Sequence, residues 1–274
     1  MQLSRALLIL LPLGSTAAWA DVIVNNSVSL SNLQVTVGSS NLPILPGTAA
    51  VAFAQAFNSH QAQVLETDCV TGIGPGGFPA DCNDGPVFVS AALPYASADA
   101  TSDAITMTAK AHSNLNIPNQ LNDSLGSSSQ TTLETFFDIT GISGPVLTDI
   151  GVTLSLDQFL LTNGTGQSAT SRVDLSIIVR DMNGNELFPL FFNNPLSIGP
   201  NQTLHFTDIL TLSSPVTLMS DTAYDLILVQ DSLSSGVSTP EPASFILFST
   251  AAGLLAVIAG VSRRRPLPAP RPEP

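Results

Sequence analysis

The sequence predicts an all-β protein: an antiparallel β-sandwich or jelly-roll-like domain followed by a single C-terminal transmembrane helix. Three observations predict it. Apolar side chains recur at every second position in run after run, as in "RVDLSIIVR". Breaks rich in Gly, Pro, Asn and Asp separate those runs. No long stretch carries the 3.6-residue apolar period of an amphipathic helix. Only Ala243 to Val261, without a charge, reads as a membrane helix.

The elements follow in order. "MQLSRALLILLPLGSTAAWAD" has a basic Arg5, a short apolar run from Ala6 to Leu13, and the small-x-small "AWA" before Asp21. Charge, run and cleavage site in that order make residues 1–20 a signal peptide cut after Ala20, rather than a buried strand or helix. Next, "VIVNNSVSLSNLQVTVG" predicts two short strands around a polar turn, and "NLPILPG" a Pro-broken connection. "TAAVAFAQAFNSHQAQVLE" alternates, although its alanines also permit a helix. "GPVFVSAALPYASADATSDAITMTAKAHS" resumes the period of two, and "NLNIPNQLNDSLGSSSQ" reads as a polar loop. The second half is plainer. "TTLETFFDIT", "VLTDIGVTLSLDQFLLT", "SRVDLSIIVRD", "NELFPLFF", "TLHFTDILTL" and "TAYDLILVQDSL" are each strand-like. In the third, Val173, Leu175, Ile177 and Val179 share one face, with Asp174, Ser176 and Arg180 on the other. Asn183-Gly184 after it is a hairpin signal of type I′, which needs positive φ at both residues.

Charge narrows the function. The chain carries −13. Without the signal and the C-terminal segment, Lys110, Arg172 and Arg180 face nineteen acids between Asp21 and Thr239, a balance of −16. Such a surface repels nucleic acid and anionic lipid. Cys69 and Cys82 enter an oxidising compartment behind the signal, and the Gly-rich "VTGIGPGGFPAD" between them bends freely. A disulfide there would contribute about 3 kcal/mol in the chain-entropy model. Free thiols are the alternative, and a zinc site lacks a second Cys pair.

Catalytic chemistry finds little support. There is no G-x-S-x-G; "GISG" at Gly141 to Gly144 does not fit it. His60, His112 and His205 form no HExxH and no close pair, and His205 reads as exposed or satisfied by a polar contact. The nineteen acids single out no glycosidase pair. The expectation is a non-enzymatic protein. For Ca²⁺, Asp181, Asn183 and Asn185 begin like an EF-hand loop, but Glu186 stands where Gly is needed and Phe192 where Glu is needed. The hairpin turn accounts for them. Asp68, Asp81, Asn83 and Asp84 around the cysteines are the other Ca²⁺ candidate, against a reading as solvated loop acids. Asn25, Asn122, Asn163 and Asn201 sit in N-x-S/T sequons, which matter only in a eukaryotic source. A sugar platform of stacked aromatics is disfavoured: beyond the signal there is no Trp, and only Tyr95 and Tyr224.

The C-terminus is more specific. Nineteen residues from Ala243 to Val261 reach about 28 Å as a helix, close to a bilayer core. Arg263, Arg264 and Arg265 hold the cytoplasmic side, consistent with a body exported by the signal. A GPI signal is disfavoured by the charged tail that follows. Pro240-Glu241-Pro242, the apolar run and the arginines, in this order, resemble the PEP-CTERM sorting signal of exported bacterial proteins. The resemblance covers roughly Thr239 to Arg265. It implies recognition and cleavage by exosortase, a membrane cysteine protease, in a Gram-negative-type envelope, with frequent association with exopolysaccharide or biofilm. One departure is the continuing tail "PLPAPRPEP".

The expected organisation is therefore a signal at 1–20, an acidic sandwich at 21–236, a sorting segment at 237–265 and a Pro-rich cytoplasmic tail at 266–274. The expected function is that of a surface or extracellular-matrix protein, held transiently in the inner membrane and partnered by exosortase and exopolysaccharide, with no nucleic acid and no catalytic residues. A carbohydrate- or calcium-binding module, and then a secreted hydrolase, are the alternatives.

Overall fold

The computed structural model describes residues 21–44, 49–58, 63–71, 86–103, 105–118, 123–141 and 143–239, with backbone alone for 49–58 and 63–71. Thirteen strands make up the body. They are β1 (Asp21–Val37), β2 (Ser40–Asn41), β3 (Ala49–Asn58), β4 (Gln63–Thr71), β5 (Val87–Leu93), β6 (Ala96–Asp103) and β7 (Thr108–Pro118). Then come β8 (Asp123–Ile139), β9 (Pro145–Thr162), β10 (Ser168–Asp181), β11 (Glu186–Ile198), β12 (Thr203–Met219) and β13 (Thr222–Ser238).

Two sheets form a β-sandwich. The first runs β12-β9-β1-β7-β6-β5, with β2 hairpinned onto the end of β1; the second runs β11-β10-β13-β8-β3-β4. Pairing is antiparallel throughout. β1 packs on β13 and β10, and β7 on β8 and β13. The alternation that predicted the strands is the cause of this architecture, since every second side chain must leave water. Val173, Leu175, Ile177 and Val179 are all buried. Each such side chain stabilises the fold by about 1.5–3 kcal/mol relative to exposure. The edge strand β11 carries Pro189 and Pro195, which remove main-chain donors from the open edge and discourage pairing with another sheet.

The interior is not uniformly apolar. One cluster gathers around Leu30, Phe137, Leu154 and Tyr224, and a smaller one around Val22, Leu115, Ile117 and Leu160. Between them lies a belt of buried polar side chains. Asn26 donates to the carbonyls of Arg172 and Leu233, each at 2.9 Å. Ser113 bonds Ser232 at 2.9 Å and Ser234 at 2.7 Å, across the two sheets. Gln230 reaches the Val28 carbonyl at 3.0 Å, and Gln158 reaches Ser171 at 2.8 Å.

Three local expectations are corrected. β1 is a single strand of 17 residues: the polar "SNLQ" is a bulge with a register shift between Ser31 and Gln34, not a reversal. Asn32 takes the left-handed conformation there (φ 51°), which Asn tolerates better than most residues. The stretch read as a polar loop after His112 is mostly strand, the end of β7 and the first half of β8. Two of its serines face inward: Ser127 and Ser129 are buried at the polar belt. The hairpin at Asn183-Gly184 forms, but only Gly184 has positive φ (82°). Asp181 N–H bonds the Asn185 carbonyl across a three-residue loop, and the Asp181 carboxylate accepts from the Asn183 and Asn185 amides at 2.9 Å each. A left-handed Gly ending such a loop replaces the two-residue I′ turn.

Among the described residues, no helix is long and apolar enough to cross a membrane. The expected helix at Ala243 to Val261 lies outside them, as do the signal at 1–20 and the tail at 266–274.

Candidate functional site

The expected sorting residues Pro240, Glu241, Pro242, Arg263, Arg264 and Arg265 lie outside the described residues, and so do His60, Cys82, Asp81, Asn83 and Asp84. Cys69 and Asp68 are placed by backbone only, on β4 opposite Val51 and Ala52 of β3. The Cys69–Cys82 pairing and the Ca²⁺ candidate therefore stand as expectations. Among the described residues, no group of three or more His, Cys, Asp or Glu could hold a metal ion.

The body begins and ends at one turn. The loop between β9 and β10 bonds both ends: the Asn163 N–H donates to the Asp21 carbonyl at 3.2 Å, and the Thr239 hydroxyl donates to the Gly166 carbonyl at 2.6 Å. Gln167 braces the loop by accepting the Asn163 and Gly164 amides at 3.0 Å each. A Cβ on residue 166 would fall on the Thr239 hydroxyl, so Gly here is what lets β13 close against the turn. The compact body ends at Thr239, the residue before Pro240.

A second feature escaped sequence reasoning. Glu134 on β8 and Asp225 on β13 take outward-facing positions of the second sheet, yet are only 1% and 7% exposed. Glu134 stands opposite Ile227, and Asp225 opposite Phe136 and Arg180, so the acids are diagonal neighbours. The two carboxyls lie beside each other, and both Glu134 oxygens and Asp225 Oδ1 are buried without a hydrogen-bond partner. Burial first, then the Asp225 charge, push Glu134 up to about 7, with Arg180 opposing. Burial also raises Asp225, with the neighbouring Glu134 carboxyl and the Arg180 charge opposing. No strand pattern could have found this pair, because alternation assigns both acids to solvent.

Farther along the same face, Ser128, Gln130, Arg172, Asp231 and Leu233 line a groove of about 340 Å³. Gln130, Asp231 and Arg172 already have partners, whereas the buried Ser129 hydroxyl has none. Gln130 donates to Asp231 at 2.7 Å, and the Arg172 guanidinium pairs with Asp174 at 2.6 Å. Burial raises Asp231 despite the Gln130 bond.

The described histidines are also engaged. His112 on β7 places Nδ1 2.7 Å from Asp99 and Nε2 3.0 Å from the Asn25 side-chain oxygen. Ser27 is opposite His112 in the ladder. Both ring nitrogens are thus engaged by Asp99 and Asn25 rather than by Ser27. His205 bonds Asp157 at 2.9 Å and meets the Phe159 ring edge-on, the polar contact expected of it. No family model, curated protein or solved structure matches this chain.

Proposed function

We propose that the chain is an exported precursor, sorted through Pro240-Glu241-Pro242 by an exosortase. Its acidic sandwich then serves as a non-enzymatic surface or matrix protein of a Gram-negative-type bacterium, in the company of exopolysaccharide. One observation carries the reading. Among the described residues the paired strands run from Asp21 to Ser238, between the expected signal cut after Ala20 and the motif at Pro240. Both expected cuts therefore fall outside the described strands and leave each of those strands whole.

Two further points support it. Glu134 is closed to any substrate by its burial, and the His112 ring is held between Asp99 and Asn25. The finer fold reading is a jelly roll. β7 to β13 alternate between the sheets except at the β10–β11 hairpin, and β1 sits between β9 and β7, where the last strand of such a roll would return. The chain is then a circular permutation of that winding, which adjacent ends permit.

The test is intact mass of the protein recovered from an exosortase-bearing host. The expected mass lacks Ala243 to Arg265, and alanine at Pro240, Glu241 and Pro242 leaves the precursor in the inner membrane. A mature protein that retains the apolar segment overturns the sorting reading in favour of a permanent anchor.

A further inference from the structure

The outer face of the first sheet carries a second groove, of about 400 Å³, across β1, β9 and β12. At its centre is Gly151 on β9, flanked by Gln34 on β1 and Ser213 on β12 in the strand register. Thr153 and Asp149 stand above and below it on the same strand. The bulge in β1 turns Asn32 outward at one rim, and Thr211 closes the other.

Gly151 has no backbone reason to be there. Its φ is not positive, and an added Cβ would meet only the Leu212 carbonyl and Ser213 Cβ at 3.6 Å, ordinary contact distances. Glycine within a strand weakens it and commonly marks a place where a ligand or another backbone comes close. Here the missing side chain opens the floor of the groove. The walls are chemically available too. Among the described residues, Asn32, Gln34, Thr153, Thr211 and Ser213 spend no side-chain hydrogen bond on the protein, whereas Gln130, Asp231 and Arg172 in the groove on the other sheet are paired. The lining has one carboxylate, Asp149, and no cation. Anionic ligands are therefore excluded, and two amides, three free hydroxyls and a carboxylate match a ligand that presents hydroxyls as both donors and acceptors.

We infer that this groove binds a neutral, hydroxyl-rich chain, a neutral oligosaccharide, with one sugar unit seated over Gly151. The volume falls in the range of small-ligand sites. The inference is independent of how the chain is sorted, so a failure of either leaves the other standing.

The experiment uses the full chain in a zwitterionic detergent free of sugar headgroups. Calorimetry is run with hexasaccharides of neutral gluco-, manno- and galacto-configured units, with a hexauronate as the charged control. At least one neutral member should bind and the uronate should not. Gly151→Thr should keep the thermal midpoint and lower affinity at least tenfold; Ser213→Ala and Gln34→Ala should each weaken it severalfold without affecting folding. Overturning results are no binding by any neutral member, equal binding by the uronate, wild-type affinity in all three variants, or loss of binding on adding EDTA, which would mark a cation site instead.

Discussion

Asn26 spans the interior of the sandwich: from β1 in one sheet, its Nδ2 donates to the main-chain carbonyl of Arg172 in the other at 2.9 Å. The same nitrogen also donates to the Leu233 carbonyl, and Ser232 returns a bond to the Asn26 carbonyl at 3.0 Å. One side chain thus ties three strands at the boundary between the two apolar clusters. Asn26→Ala removes both bonds and opens a void at a fully buried position. The expected loss is about 2–4 kcal/mol, read as a lower urea midpoint at unchanged slope. A midpoint equal to wild type would show that the belt does not hold the sheets.

The acid pair predicts a pH dependence. Glu134 ionises near 7 in the folded protein, against an ordinary 4.5. Folding therefore takes up protons between those values, and stability contributed by this group falls as pH rises through the window. Burial moves Asp225 in the same direction. Glu134→Gln keeps a donor toward Asp225 and removes the titration. It should stabilise the protein at pH 8 relative to pH 5 by on the order of 1–3 kcal/mol, since each pKa unit is worth about 1.4 kcal/mol. The check is the difference between variant and wild-type thermal midpoints across pH 4.5–8; a flat difference contradicts the raised ionisation of Glu134.

Arg180 is the counterpart. It stands opposite Asp225 and also pairs with Glu186 at 3.2 Å. Arg180→Met removes the positive charge that opposes the rise of both acids, so its destabilisation should be larger at pH 8 than at pH 5. Chemical denaturation at the two pH values measures this, and a loss independent of pH would assign Arg180 to packing alone.

How much of this was written in the sequence depends on where polarity and parity agree. In β10 they agree: Val173, Leu175, Ile177 and Val179 face inward and are buried, so the strand was legible. In the first half of β8 they conflict. Ser127, Ser129 and Thr131 face inward as the parity demands, but their polarity reads as loop because the belt they join is built from five other strands. Glu134 shows the reverse conflict, an outward position that neighbouring strands nevertheless cover. The groove was closer to legible, since an isolated Gly151 inside "VLTDIGVTLSL" is the local signal for a close approach.

Packing near the smaller cluster makes Gly236 a sharp test of the sheet separation. A Cβ there would lie 2.8 Å from Val22 Cγ1 and 3.0 Å from Ile117 Cδ1. Both neighbours are fully buried and cannot swing into solvent. Gly236→Ala should cost about 1–3 kcal/mol by overpacking, visible as a lower thermal midpoint; a stabilised variant would mean that the sheets part easily at this end.

The last prediction concerns the turn that receives both ends of the body. Gly166 admits the Thr239 hydroxyl, whose bond to the Gly166 carbonyl is the last contact among the described residues before Pro240. Gly166→Ala forces Thr239 away while leaving the β13 pairing with β8, which extends to Ser238, in place. Thr239→Val removes the same bond without crowding. Both variants should retain most of their thermal stability, because an exposed end contributes little to the core, yet limited proteolysis should cut faster near Thr239 in each. If Gly166→Ala alone responds, crowding rather than the hydroxyl bond controls the end. If neither responds, the Thr239 contact does not set how closely the segment beyond it is tethered, and access of a processing enzyme must be governed by the residues from Pro240 onward.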